Sequence, residues 1–497
     1  MKRGTFTPGI SLEEVTGMSG RLVGREKEIM LINRYHQSDR SELVAVYGRR
    51  RVGKTYLIRE TLGDKIDFEY TGLYMEPGSV QREQFQKELN TRTQTHEDKP
   101  KDWFEAFDRL RVYLLSLQKE CVTVFLDELP WMDTAGSRFL SAFSSFWNAW
   151  GREKIRLKLF VCGSATTWML DRLIGDKGGL YGRTSRSVYL APFTLHEVQH
   201  YLNDIKGMNY ERQQLLQAYM IFGGIPYYLE MLDPELPFSV NIDNLFFADH
   251  APLRTEYDFL FRSLFSDSPV YRKVIETLSG KLMGMTREDI SSATGLSGGM
   301  LSKTLENLNK CDFIRVYADP VKKERGRVYQ LTDMFTLFHL RFVEHHDGQD
   351  PSFWTHLGQS GSKNAWLGYA FEQVCLHHIP QIKHALGISG ILSNAYAWNC
   401  KAYTDKDGAQ WKGGQIDLII DRSDQVMNLC EMKYSMTEYV IDRELYDTIR
   451  ERTELFRREQ KTRKNLRCTF ITLYGIKPGR YSSIVDSQIT LNHLFHE

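Results

Sequence analysis

Leu43-Val-Ala-Val-Tyr-Gly48-Arg49-Arg50-Arg51-Val52-Gly53-Lys54-Thr55-Tyr56-Leu-Ile-Arg-Glu-Thr-Leu62 is the stretch whose reading decides the fold of the first half of this chain. The apolar run Leu43–Tyr47 predicts a buried strand, and Lys54–Leu62 predicts a helix. Between them, Gly48 to Thr55 fits the spacing G-x-x-x-x-G-K-[ST]. The two glycines let backbone N–H groups turn inward around phosphate oxygens. Lys54 would reach the β and γ oxygens, and the Thr55 hydroxyl would ligate Mg²⁺. Strand before and helix after are the context this mechanism needs. Gly48 through Tyr56 is therefore expected to bind ATP.

A nucleotide site also needs an acid at the end of a neighbouring strand, and VTVFLDELPW at 122–131 supplies two. Its apolar run predicts a strand with Asp127 and Glu128 at the carboxyl edge, where ligands bind in open α/β sheets. Asp127 would hold the Mg²⁺ shell and Glu128 would polarise the attacking water. A third apolar run, LKLFVCG at 157–163, completes a set of short strands separated by helical stretches. That alternation predicts a parallel sheet covered on both faces.

The rest of the chain bounds what this site serves. At 497 residues it is long enough for about three or four domains. With 64 basic and 63 acidic residues the net charge is +1, so any nucleic-acid surface must be local. Seven scattered Cys form no C-x-x-C pair, which disfavours zinc and fits buried reduced thiols. The N-terminus lacks a signal-like apolar core, and no apolar run approaches the ~20 residues needed to span a bilayer. No membrane partner is expected, and the expected compartment is cytoplasmic. Composition and periodicity suggest an arm over 1–20, a phosphate-loop core over 21–170 and a helical lid over 171–250. Helices in SPVYRKVIETLSG, TREDISSATG and GGMLSKTLENLNKC precede two strands in FIRVYADPVKKERGRVYQLTD. Three helices and a two-stranded wing predict a winged helix over 251–347. A polar, Gly-bearing linker over 348–361 and an α/β segment over 362–497 follow.

Over nearly its whole length the chain resembles AAA+/STAND-type P-loop ATPases of the prokaryotic, originally archaeal, group. The resemblance rests on Gly24-Arg25-Glu26, the phosphate loop, Asp-Glu-Leu-Pro-Trp from Asp127, Gly163-Ser164, Tyr181 to Arg186, and Gly223-Gly224-Ile225-Pro226-Tyr227. It implies that Ser164 occupies the sensor position reading the γ-phosphate, where many AAA+ proteins carry Asn. It implies too that Arg183 or Arg186 acts as an arginine finger, which in trans would need a homo-oligomer. Pro226 and its neighbours would pack near the base.

In the last segment, Trp411 to Asp421 and Val426 to Tyr434 read as two strands about a turn at Arg422–Gln425. Their paired positions sum to about 848, which sets Asp417 across from Glu431, with Lys433 on the same face as Glu431. Two facing carboxylates beside a lysine can hold a divalent metal and activate water. The spacing D-x13-E-x-K resembles the PD-(D/E)XK nuclease superfamily, although Gln415-Ile416 stand where the motif's proline would be. The element order agrees: a helix near Ala365–His378 carrying Glu372, three strands, a helix near Thr437–Arg457, then a strand. The resemblance implies Asp417 and Glu431 as metal ligands and Lys433 as catalytic. The expected fold class is α/β: a P-loop NTPase parallel sheet with a helical lid, then a winged helix, then a PD-(D/E)XK-like domain. In the winged helix, Ser297–Asn309 would be the recognition helix, offering Lys303, Thr304 and Asn307 to a groove. Lys322, Lys323, Arg325 and Arg327 on the wing would meet DNA phosphates. The expected function is ATP-dependent action on DNA with Mg²⁺. The alternative is a nucleotide-controlled switch whose nuclease-like domain only mediates interactions.

Overall fold

The computed structural model describes residues 22–150, 153–175, 184–265, 267–317, 327–358, 360–404, 408 and 410–497. Two compact units divide the chain. One comprises Met1–Pro192 with Ile225–Tyr227 and Leu260–Ser266; the other holds Phe193–Gly224, Tyr228–Phe259 and Asp267–Glu497. No helix among the described residues is long and apolar enough to cross a membrane.

The first unit is built on five strands: β1 (Glu42–Tyr47), β2 (Phe68–Thr71), β3 (Cys121–Asp127), β4 (Arg156–Gly163) and β5 (Arg186–Tyr189). All pair in parallel, in the order β2-β3-β4-β1-β5. The three central strands are the continuous apolar runs read from the sequence, because each is covered on both faces. Leu43, Val44, Ala45 and Val46 are all fully buried. On one side lies an aromatic core in which Trp103, Phe107, Phe139 and Phe143 pack edge-to-face and stacked. Each such side chain contributes about 1.5–3 kcal/mol by leaving water. The helix Trp103–Ser116 is started by Asp102, whose side chain accepts from the Glu105 N–H at 2.9 Å.

Both edge strands, FEYT and RSVY, escape the apolar-run reading. An edge strand is short and keeps polar residues on its open side. β5 also moves the end of the core: the sheet does not stop near residue 170 but takes in Arg186–Tyr189. The order places β4 between β1 and β3, so the carboxyl ends of these three strands lie side by side.

The second unit begins with helices, among them Arg212–Phe222 and Phe238–Phe246. Helices Ser268–Ser279, Arg287–Thr294 and Gly298–Lys310 follow, with a small antiparallel sheet of β6 (Met285–Thr286), β7 (Ile314–Tyr317) and β8 (Val328–Leu331) in the order β6-β8-β7. The segment expected as a linker, 348–361, instead contains the helix Phe353–Leu357, and its Trp354 is buried. Asp243 accepts from the Trp354 N–H at 2.7 Å and holds that turn in place.

Further strands are β9 (Ser393–Cys400), the short antiparallel pair β10 (Tyr403–Thr404) and β11 (Gln410–Trp411), β12 (Gly414–Arg422), β13 (Val426–Lys433), β14 (Asn465–Thr472) and β15 (Ser487–Thr490). A mixed sheet runs β15-β14-β13-β12-β9. The expected single strand from Trp411 to Asp421 is broken at Lys412-Gly413, where Gly413 has φ +77°. The register Leu418↔Cys430 and Ile419↔Leu429 gives the sum of 848 read from the sequence. The helix Gly361–His377 and the crossover helix Arg443–Glu459 flank this sheet in chain order. The latter starts later than Thr437, at the N-cap Asp442, because Tyr439 is drawn into an isolated bridge with Ile476.

Candidate functional site

The phosphate loop leaves β1 with Gly48 at φ +148° and closes on Gly53 at φ +91°, conformations that favour residues lacking Cβ. A Cβ on Gly48 would meet the Leu190 carbonyl oxygen at 2.3 Å. Arg51 takes a left-handed φ of +73°, and its guanidinium stacks 3.8 Å from the Tyr227 ring centre. Arg50 lies over Trp131 at 5.6 Å. Val52 and Arg49 are buried, whereas Tyr56 is exposed on the helix Lys54–Leu62. Lys54 is buried, and its Nζ donates to the carbonyls of Gly48 (3.1 Å) and Arg49 (2.9 Å). Burial lowers the Lys54 ammonium from its ordinary range, against the opposing charges of Glu128 and Asp127.

Asp127 is the last residue of β3 and Glu128 the first after it, at the carboxyl edge of the sheet. The Thr55 hydroxyl donates to Asp127 Oδ2 at 2.9 Å. Asp127 Oδ1 accepts from the Glu128 N–H at 2.9 Å and from the Cys162 thiol. Glu128 has φ +47°, and its Oε2 accepts both the N–H (3.0 Å) and the hydroxyl (2.9 Å) of Ser164. Ser164 thus stands beside the acid, directly after β4. Gly163 allows this approach, since a Cβ there would strike Pro130 at 2.6 Å. Burial beside Asp127 and Glu128 raises the Cys162 thiol well above its ordinary range.

Other expected residues are placed less directly. Arg25 is buried with φ +70°, and its Nη2 donates to the Ala191 carbonyl at 2.7 Å. Pro226 opens the short helix Pro226–Glu230, next to the Tyr227 that Arg51 covers. Arg186 is exposed at the start of β5, paired with Val44. That level lies three residues, roughly 10 Å of strand, below the end of β1, so Arg186 is not brought to the loop of its own chain. Arg183 lies outside the described residues.

The second cluster forms around β12 and β13. Glu431 is buried, with Lys433 Nζ on its Oε1 at 2.8 Å and the Arg452 guanidinium on its Oε2. Burial alone would raise this carboxyl, but the two cations outweigh it and hold it below its ordinary range. Asp417 sits where the β12–β9 register shifts between Ile416 and Ile419, a bulge that re-aims its side chain. The Gln415 amide donates to it, while burial and the Glu431 charge raise its carboxyl. Glu372, on the helix Gly361–His377, is pushed up to about 8 by burial and then by Asp417. Tyr317 of β7 is near enough to feel both Asp417 and Glu372. Among the described residues no three His, Cys, Asp or Glu side chains are arranged to hold a metal ion.

Sequence reasoning missed three of these partners. Arg452 is one of many charges on a long helix, and nothing in residue type singles it out. Cys162 was legible only as a buried thiol before Gly163-Ser164. Gln415 stands two residues before the acid, in the stretch where the motif's proline would be, and its type alone assigns it no role. In the helix Gly298–Lys310, Thr304 and Asn307 turn out buried rather than groove-facing: Asn307 donates to the Tyr271 hydroxyl at 2.7 Å, and the Thr304 hydroxyl to the Met300 carbonyl at 2.9 Å. Lys303 is exposed, as is Arg327, whereas Lys322, Lys323 and Arg325 lie outside the described residues.

Comparison with known proteins bears on the first site. Residues 22–232 match the model of a family described as an ATPase domain predominantly from Archaea. An uncharacterized protein of Methanocaldococcus jannaschii is 25% identical over 356 residues, spanning 71% of this chain and 76% of that one. Among solved structures, the Walker-type ATPase of Pyrococcus abyssi gives a TM-score of 0.48 at 19% identity, over 68% of this chain and 99% of its own. The ORC2 protein of Aeropyrum pernix, solved as ADPNP–ADP complexes, gives 0.40 at 13% identity, over 65% and 93%. The family match, the strand–loop–helix at Gly48–Leu62 and the acids closing β3 make this part of the chain a P-loop ATPase domain.

Proposed function

We propose that this chain is an AAA+/STAND-type ATPase that hydrolyses ATP with Mg²⁺ and acts on DNA through its C-terminal half. The observation carrying the reading is the joined set at the ends of β1, β3 and β4. Thr55 is bonded to Asp127, and Glu128 is poised on Ser164 beside a buried Lys54. The residues fit the ligands: Gly48 and Gly53 hold the positive φ angles that let the loop turn its backbone N–H groups inward, and Thr55 with Asp127 offers the hard oxygen donors Mg²⁺ takes. Bound there, Mg²⁺ would neutralise developing charge on the phosphates. Lys54 would exchange its two carbonyl partners for β and γ oxygens. Glu128 would leave Ser164, accept a proton from the attacking water at a carboxylate oxygen and orient that water in line. Ser164, so released, would donate toward the γ-phosphate. Arg183 or Arg186 of another copy would serve as the finger, which makes a homo-oligomer part of the reading.

For the C-terminal half, three helices with a small antiparallel sheet support a winged helix. The mixed sheet with its preceding and crossover helices supports a PD-(D/E)XK-like domain. The register shift beside Asp417, and the ladder ending Leu418↔Cys430 that one further pair would carry to Asp417 and Glu431, support a role for Asp417, Glu431 and Lys433 in metal-dependent cleavage. A second reading is favoured by a specific observation: Glu431 is clasped by Arg452 and Lys433. In that version the domain only mediates interactions, and the ATPase is a slow switch.

Purified protein should hydrolyse ATP in Mg²⁺, with Lys54→Ala losing nucleotide binding. With Mg²⁺ or Mn²⁺ it should nick DNA, and Asp417→Ala or Lys433→Ala should abolish nicking while ATP binding survives. A preparation that hydrolyses ATP but cuts no form of DNA leaves the switch standing and removes the nuclease. Absence of both nucleotide binding and hydrolysis would overturn the ATPase reading itself.

A further inference from the structure

Asp127 is held by more than its place at the end of β3. Its register against β4 continues the ladder ending Leu126↔Val161, so the side chains of Asp127 and Cys162 lie next to each other on one face of the sheet. Cys162 is fully buried between β3 and β1, where it pairs with Val46. A carboxylate oxygen offers about two lone-pair positions. Both on Oδ1 are taken, by the Glu128 N–H at 2.9 Å and by the Cys162 thiol directly against it. Oδ2 carries the Thr55 hydroxyl at 2.9 Å.

We propose that Cys162 is a positioning residue for Asp127: its thiol fixes the carboxylate so that Oδ2 alone faces Thr55, which sets the affinity of the nucleotide site for Mg²⁺. The inference rests on the ATPase reading above. A thiol suits this place because it fills apolar space as a small hydrophobe yet still donates weakly. It orients the carboxylate without drawing off the charge the metal needs. Without it, Oδ1 regains a free lone pair, and the carboxylate can rotate away from Thr55. Outer-shell partners of metal-ligating carboxylates act in this way at other sites.

The test uses the full chain, with Cys162→Ser keeping a donor and Cys162→Ala and Cys162→Val removing it. A fluorescent ATP analogue is bound across a Mg²⁺ titration, with parallel hydrolysis and thermal-unfolding measurements. Ala and Val should raise the Mg²⁺ needed for half-maximal binding by about tenfold, while Ser stays near wild type. Binding in chelator should be the same for all four proteins. If Ala and Val keep the wild-type Mg²⁺ midpoint while their Tm falls, Cys162 is only packing. A Ser variant shifted as far as Ala overturns the proposal equally. If Ala does not fold, the Ser and Val pair decides. Wild-type protein that binds nucleotide without hydrolysing it would fail the ATPase reading, yet the binding titration would still judge Cys162.

Discussion

Glu372 gives the second unit a dependence on pH whose sign follows from its surroundings. Its carboxyl moves from an ordinary 4.5 to about 8, through burial first and Asp417 second. Between those values the folded chain keeps a proton that the unfolded chain has lost, so stability falls as pH rises through that window. Glu372→Gln should therefore gain Tm relative to wild type on going from about pH 5 to about pH 9, by roughly 2–4 °C for each kcal/mol involved. A difference that does not change with pH would contradict this placement. In the first unit, Glu128→Gln should slow hydrolysis by about 10²–10⁴-fold while ATP still binds, measured by single-turnover kinetics. Gly48→Ala, whose Cβ would overlap the Leu190 carbonyl, should abolish nucleotide binding and cost about 1–3 kcal/mol of stability. These residues differ in how far they could be read from the chain. Gly48 and Lys54 are fixed by one spacing, and Asp127 by its place at the end of an apolar run. The pairing of Glu431 with Arg452 joins residues 21 apart through a fold, and no local pattern encodes it.

Among elements, the helix Gly298–Lys310 separates what periodicity reveals from what it hides. Its limits fall within a residue of the expected ones, because apolar Leu301, Leu305 and Leu308 recur at helical spacing. Its faces do not follow residue type. Asn307 looks suited to a groove but lies inward and satisfies the Tyr271 hydroxyl, a buried group that would otherwise be costly. Asn307→Ala should lose about 1–3 kcal/mol, seen as a lower denaturation midpoint. Lys303→Ala, at an exposed site, should leave stability unchanged and weaken DNA binding if this helix meets phosphates. The edge strands β2 and β5 make the same point in a sheet. Strand signals are strong where both faces are buried and faint where one edge is open, so three of five strands were readable.

For the molecule as a whole, a net charge of +1 means that the proposed DNA contact would have to rest on a few local cations rather than a broad field. Replacing Lys322, Lys323 and Arg325 should reduce the slope of log affinity against log salt by up to about 0.9 per cation removed. An unchanged slope would take the wing out of the interface. The sequence by itself determined the strand–loop–helix around Gly48–Thr55, the place of Asp127 at the end of β3, the central strands and the hairpin register about Asp424. Each is written in contiguous residues whose spacing obeys one local rule. Tertiary structure alone decided that Cys162 and Thr55 grip opposite oxygens of Asp127, that Ser164 holds Glu128, and that Arg452 closes on Glu431. Those pairings join distant segments, and only packing selects, from many chemically suitable partners, the one brought within bonding distance.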